Sequence, residues 1–134
     1  MTTNEKKLRS ALRSFRRDER QLACFREDIR FLRDALRDGS CYSFEWMREA
    51  YTLEERTKTD TVRKMTIILE GIKDVLAVLQ QQERELVVSH YVDGRTWAEV
   101  GAAMSMTPTS AQRIGSRALR QLAARVEFRK IPDE

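Results

Sequence analysis

Residues 96–122 read TWAEVGAAMSMTPTSAQRIGSRALRQL, from Thr96 to Leu122, and divide into two helices around a tight turn. Thr96 and Glu99 have capping-box spacing, so each side chain can bond the other's backbone amide. Val100, Ala103 and Met104 then recur at helical spacing. Ser105-Met106-Thr107-Pro108 breaks that pattern. Thr107 suits an N-cap, and Pro108 suits the first helical position, where its missing amide would be unpaired anyway. At about 100° per residue the second helix separates into two faces. Ala111, Ile114, Gly115, Ala118, Leu119 and Leu122 form the apolar one. Thr109, Gln112, Arg113, Ser116, Arg117 and Arg120 form the other, a row of hydrogen-bond donors and cations such as a helix in a DNA major groove requires. A solvated surface helix also has a polar face. Two features favour nucleic acid: the preceding capped helix, and six basic residues against one acidic residue, Glu127, from Thr107 to Lys130.

The longer segment Glu83 to Leu122, ERELVVSHYVDGRTWAEVGAAMSMTPTSAQRIGSRALRQL, resembles region 4 of bacterial sigma factors. The resemblance rests on the Glu83-Arg84 pair opening a helix, the Tyr91-Val92-Asp93-Gly94 exit, Thr96-Trp97-Ala98-Glu99-Val100-Gly101, and the closing Ala118-Leu119-Arg120-Gln121-Leu122. The spacing Y-x-x-G-x-[ST]-W-x-E is also similar to that of small phage regulators of the ArpU/RinA type. Such regulators carry a helix-turn-helix of this kind after a helical N-terminal half. The resemblance covers about a third of the chain. It implies sequence-specific binding of double-stranded DNA to regulate transcription, in a phage or prophage setting. Thr109, Gln112, Arg113 and Ser116 would then face base edges. Arg117, Arg120, Arg125 and Arg95 would hold phosphates, with Thr107 and Ser110 donating near the helix start. Sigma factors usually place an Arg-Glu pair just after the capping Thr, where this chain has Pro108-Thr109. A standard −35 promoter element is therefore not the expected target.

Outward from this segment the chain is helical and charged. Its 134 residues carry 34% Asp, Glu, Lys and Arg, a net charge of +4, five Gly and two Pro, which suits an all-α protein. Residues 4–38 hold neither Gly nor Pro, and would span roughly 50 Å at about 1.5 Å per residue. Leu8, Phe15, Leu22, Ile29 and Leu36 are spaced by sevens, and Ala11, Asp18, Phe25 and Leu32 fill the second seam, with Asp18 as its flaw. Gly39 suits a left-handed helix end. Ser43 could cap a short helix holding Phe44, Met47, Ala50 and Tyr51, and Thr57 to Asp60 reads as a polar linker. A second long helix is expected from about Thr61 to Gln82, with Val62, Met65, Ile68, Leu69, Ile72, Val75, Leu76 and Leu79 on one stripe. Gly71 within it would permit a close helix crossing. Residues 39–60 would connect the two long helices as an antiparallel hairpin. The division expected is a helical hairpin and oligomerisation region over 1–82, giving a homodimer, and a helix-turn-helix domain over 83–134.

Other chemistries find little support. Cys24 and Cys41 have neither CxxC spacing nor a disulfide-rich context. His90, the only histidine, has no Cys, His or carboxylate at ligand spacing, so no metal is expected. No phosphate-cradling or nucleophile-elbow motif occurs, and neither an enzyme nor a cofactor is expected. No apolar run approaches membrane-span length, and Met1 opens a polar stretch, which together suggest a cytoplasmic protein. Two rival functions remain. A phage small terminase subunit also joins a helix-turn-helix to oligomerising helices. A sigma-like module could instead bind RNA polymerase without DNA.

Overall fold

The computed structural model describes residues 2–39 and 44–125. Five helices follow in chain order, with no strand among the described residues. They are α1 (Thr3–Asp38), α2 (Glu45–Ala77), α3 (Gln81–Val87, continued by a π turn over Val88–Val92), α4 (Trp97–Ala103) and α5 (Pro108–Arg125). The chain is all-α, a long helical hairpin followed by a helix-turn-helix, as its periodicity led us to expect. It divides into two compact units: Arg17–Ile67, and Met1–Arg16 with Ile68–Glu134. Cys41, the expected cap at Ser43, and residues 126–134 lie outside the described residues.

The unit Arg17–Ile67 is the middle of the hairpin. Arg26 Nη2 donates to Thr66 Oγ1 at 3.4 Å, Lys58 Nζ to Asp28 at 2.8 Å, and Arg33 Nε to Glu55 at 2.9 Å. Residue numbers rise along α1 as they fall along α2, so the helices are antiparallel. Leu22, Ile29, Leu32 and Ala35 of α1 are buried. The expected linker at 57–60 is instead helical, and α2 begins at Glu45. Two physical causes extend it. No Gly or Pro interrupts residues 45–70. The polar side chains are also satisfied on the helix: Thr52, Thr57, Thr61 and Thr66 each donate a hydroxyl to the carbonyl four residues back, at 2.7–3.0 Å. Lys58 bridges Asp28 and Glu54. Hydrogen bonds to these two carboxylates raise its pKa.

In the other unit α1 departs from the heptad seam. Leu8 and Phe15 are buried as expected, but Leu12 is fully buried too, while Ala11 is only half-buried. Burial at 8, 12 and 15, with Ala11 half-buried between them, is the i, i+3, i+4, i+7 stripe of a helix set into a globular core. α2 ends at Ala77 rather than Gln82. Arg84 sends its guanidinium back to the carbonyls of Leu76, Ala77 and Leu79, at 3.2, 3.4 and 2.9 Å, satisfying acceptors that the helix end leaves open. Gly71 is exposed, and a Cβ there would meet no atom within 4 Å, so no close crossing occurs at it. Along α3 the buried pairs are Leu86-Val87 and Tyr91-Val92, five residues apart. An α-helix turns i and i+5 away from each other. The π turn, closed by Asp93 N–H to the Val88 carbonyl at 2.9 Å, brings both pairs inward. Gly94, with φ 74°, then reverses the chain. Among the described residues no helix is long and apolar enough to cross a membrane.

Candidate nucleic-acid interface

The turn between α4 and α5 is fixed from both sides. Thr96 Oγ1 accepts from Glu99 N–H at 3.2 Å, and Glu99 Oε1 accepts from Thr96 N–H at 3.1 Å, completing the capping box of α4. The Thr96 amide, then its hydroxyl and the charge of Arg95 hold the Glu99 carboxyl below its ordinary pKa. At the far end Met106 N–H bonds the Gly101 carbonyl at 2.9 Å, and Ser105 takes a left-handed φ of 57°. Thr107 caps α5: its hydroxyl accepts from Ser110 N–H at 3.1 Å and donates to Ser110 Oγ at 3.0 Å. Pro108 is the first residue of α5.

The apolar face of α5 anchors it. Ala111, Gly115, Ala118, Leu119, Leu122 and Ala123 are buried, and Ala111 joins Leu86 and Val100 in a cluster packed by Trp97, Met104, Met106 and Ile114. Trp97 crosses α5 at Gly115, where a Cβ would stand 2.5 Å from the indole. The same indole stacks on His90 with centroids 3.7 Å apart, and meets Tyr91 edge-on at 5.9 Å. His90 Nδ1 lies 2.7 Å from the Arg95 carbonyl. A carbonyl only accepts, so Nδ1 carries the proton. The histidine thus holds the residue before the α4 cap in place.

The opposite face projects Thr109, Gln112, Arg113, Arg117 and Arg120, all exposed, with Ser110 and Ser116 half-buried. α5 contains no acidic residue. Among the described residues Arg113, Arg117 and Arg120 have neither an ion-pair nor a hydrogen-bond partner within the chain. Some arginines of the hairpin are paired, as in Arg33–Glu55 at 2.9 Å and Arg37–Asp34 at 2.7 Å, while Arg20, Arg30 and Arg56 are not paired among the described residues. Arg125 is exposed at the end of α5, and Arg95 is exposed before α4. Thr107 spends its hydroxyl on Ser110, so the pair acts first as a cap.

One neighbour of α5 was not anticipated from the sequence. The start of α1 lies beside it, with Asn4 Nδ2 donating to the Ala123 carbonyl at 3.4 Å. An open cleft of about 520 Å³ separates them, lined by Thr2, Glu5, Arg9, Tyr91, Ser116, Leu119 and Arg120. Ser116 and Arg120 therefore sit at the edge of the polar face. The signal for this packing was Leu12, which with Leu8, Ala11 and Phe15 makes an apolar stripe wider than a coiled-coil seam.

Residues 69–122 match the family model of sigma-70, region 4. No curated protein and no solved structure matches the chain. The matched segment opens within α2, takes in α3 and α4, and ends at Leu122 in α5, so it contains the capped turn, the Trp97 anchor and the unpaired arginines. Residues 69 to 122, less than half of the chain, are thus similar to sigma-70 region 4, and they end in a helix-turn-helix.

Proposed function

We propose that this protein is a sequence-specific DNA-binding regulator of transcription, encoded by a phage or prophage, with α5 in the major groove. The observation that supports it most is the unpaired state of Arg113, Arg117 and Arg120 on a helix face without one carboxylate. Cations without partners among the described residues, on a rigidly anchored helix, suit an external polyanion. In this reading Thr109, Gln112, Arg113 and Ser116 face base edges, and Arg117, Arg120, Arg125 and Arg95 hold phosphates, with Thr107 and Ser110 at the helix start. Pro108-Thr109 in place of the usual charged pair directs the helix to a site other than a standard −35 element.

Residues 83–134 carry the reading function in this proposal, and residues 1–82 carry assembly as a homodimer. The large side chains Phe31, Trp46, Leu53 and Ile67 remain exposed in the hairpin, which supports an assembly role. RNA polymerase is a second expected partner. Selection of bound duplexes from a random pool tests the function. One enriched motif, with affinity that falls steeply as salt rises, is the expected result. Polymerase binding without any DNA affinity would replace the proposal with a pure interaction module. A large ring in solution, rather than a dimer, would favour a terminase subunit.

A further inference from the structure

We propose that the start of α1 is a second phosphate-binding element, in which Arg9 and Arg13 grip the DNA backbone beside the strand held by Arg120. This rests on the DNA-binding reading of α5. Arg9 lies with its guanidinium 5.7 Å from the Tyr91 ring centroid, a contact that holds the side chain against the domain. Its Nε is buried and has no hydrogen-bond partner. A buried charged donor without a partner is unfavourable, so a small shift of the half-buried Arg9 side chain toward an outside acceptor would be favoured. Such an acceptor has a route in. Arg9 lines the open cleft that Ser116 and Arg120 of α5 also line. It also lines a second cleft of about 400 Å³, shared with Arg13, His90 and Gly94. The two clefts meet at Arg9 and Tyr91, so cations from α1 and from α5 border one surface.

The carboxylates nearby are already engaged. Glu5 Oε2 accepts from Thr2 N–H at 3.3 Å as the cap of α1, and Asp93 pairs with Arg16 at 3.3 Å. A phosphate diester supplies what remains missing: a negative charge and acceptor oxygens for a planar guanidinium. A duplex seated on the polar face of α5 would carry its backbone past the Ser116 and Arg120 edge, where this surface begins. The N-terminal turns would then extend the DNA contact beyond the helix-turn-helix itself, adding affinity without adding base recognition.

The test uses the full chain and a random-sequence duplex, with affinity followed by fluorescence anisotropy across a salt series. Arg9→Gln and Arg13→Ala should each lower the log–log salt slope by about 0.9, as loss of one phosphate contact does. Arg117→Ala serves as the reference for a contact within α5. Arg13 is exposed, so its variant keeps the test valid should Arg9→Gln lose its fold in thermal denaturation. If Arg117→Ala flattens the slope while Arg13→Ala and folded Arg9→Gln leave it unchanged, this inference fails and the function stands. If the native chain binds no duplex at all, both fail. A rise in melting temperature with inorganic phosphate that depends on Arg9, without any change in DNA slope, would mean a free-anion site and overturn the DNA assignment.

Discussion

Two glycines in helices should respond to the same substitution with opposite signs. Gly101 lies where α4 meets the turn, and a Cβ built on it stands 2.7 Å from the Met106 carbonyl oxygen and 3.2 Å from the Thr107 carbonyl carbon. Ordinary contact begins at 3.4 Å, so the backbone of the turn must retreat by about 0.7 Å. That turn is tied by the Met106 N–H to Gly101 carbonyl bond and by the Thr107 cap, and it cannot yield as a flexible side chain would. Overpacking of this kind costs about 1–3 kcal/mol. Removing a helical glycine returns about 0.5–1 kcal/mol through the unfolded chain. Gly101→Ala should therefore destabilise by up to about 2.5 kcal/mol, with about 1 kcal/mol the mid-range expectation, lowering Tm by roughly 3–5 °C for each kcal/mol. Gly71→Ala meets open space on an exposed helix, so only the favourable contribution remains. It should stabilise by about 0.5–1 kcal/mol. Thermal denaturation followed by circular dichroism reads both. A Gly101→Ala protein as stable as the native chain would refute the close approach at the turn, and a Gly71→Ala protein less stable than the native chain would refute the open space around Gly71.

Arg113→Ala should weaken binding to the selected DNA site by about 1–3 kcal/mol and relax preference at one base pair, with the fold intact. Arg113→Lys distinguishes base reading from plain charge, because Lys lacks the planar fork; full discrimination restored by Lys would remove Arg113 from the reading face. Leu12→Ala should cost about 2–5 kcal/mol in urea denaturation, since the side chain is fully buried. A loss below about 1 kcal/mol would show that the start of α1 does not belong to that core. Thr96→Ala should cost about 0.5–2 kcal/mol by removing the α4 cap. The lowered pKa of Glu99 makes its contribution to stability fully present above the ordinary carboxylate value, and lost as pH falls through the lowered one. Glu99→Gln should flatten that part of the acid limb of a stability–pH profile, and an unchanged limb would show that the cap carries no charge-dependent stability.

The helix-turn-helix was legible in the sequence because its signals are local. A capping box needs Thr96 and Glu99 three residues apart, a helix start needs Thr107-Pro108, and the two faces of α5 follow from a 3.6-residue period; each lies within a few residues of backbone. The antiparallel hairpin was legible for the same reason, as two apolar stripes too long to remain solvated. Contacts distant in sequence decided the rest. Thr57 to Asp60 looks like a linker because threonine and aspartate are poor helix formers, yet Lys58 reaches Asp28 across the hairpin, and such partners override propensity. No local pattern shows which glycine touches another backbone: Gly71 stands in the open, while Gly101 is pressed against the turn. The same holds for the cleft beside α5. Arg9 and Arg120 are 111 residues apart, and only packing of Leu8 and Leu12 into the domain core sets their helices side by side. Periodicity determines which face of a helix is apolar; the tertiary structure alone decides what that face meets and which cations are left unpaired.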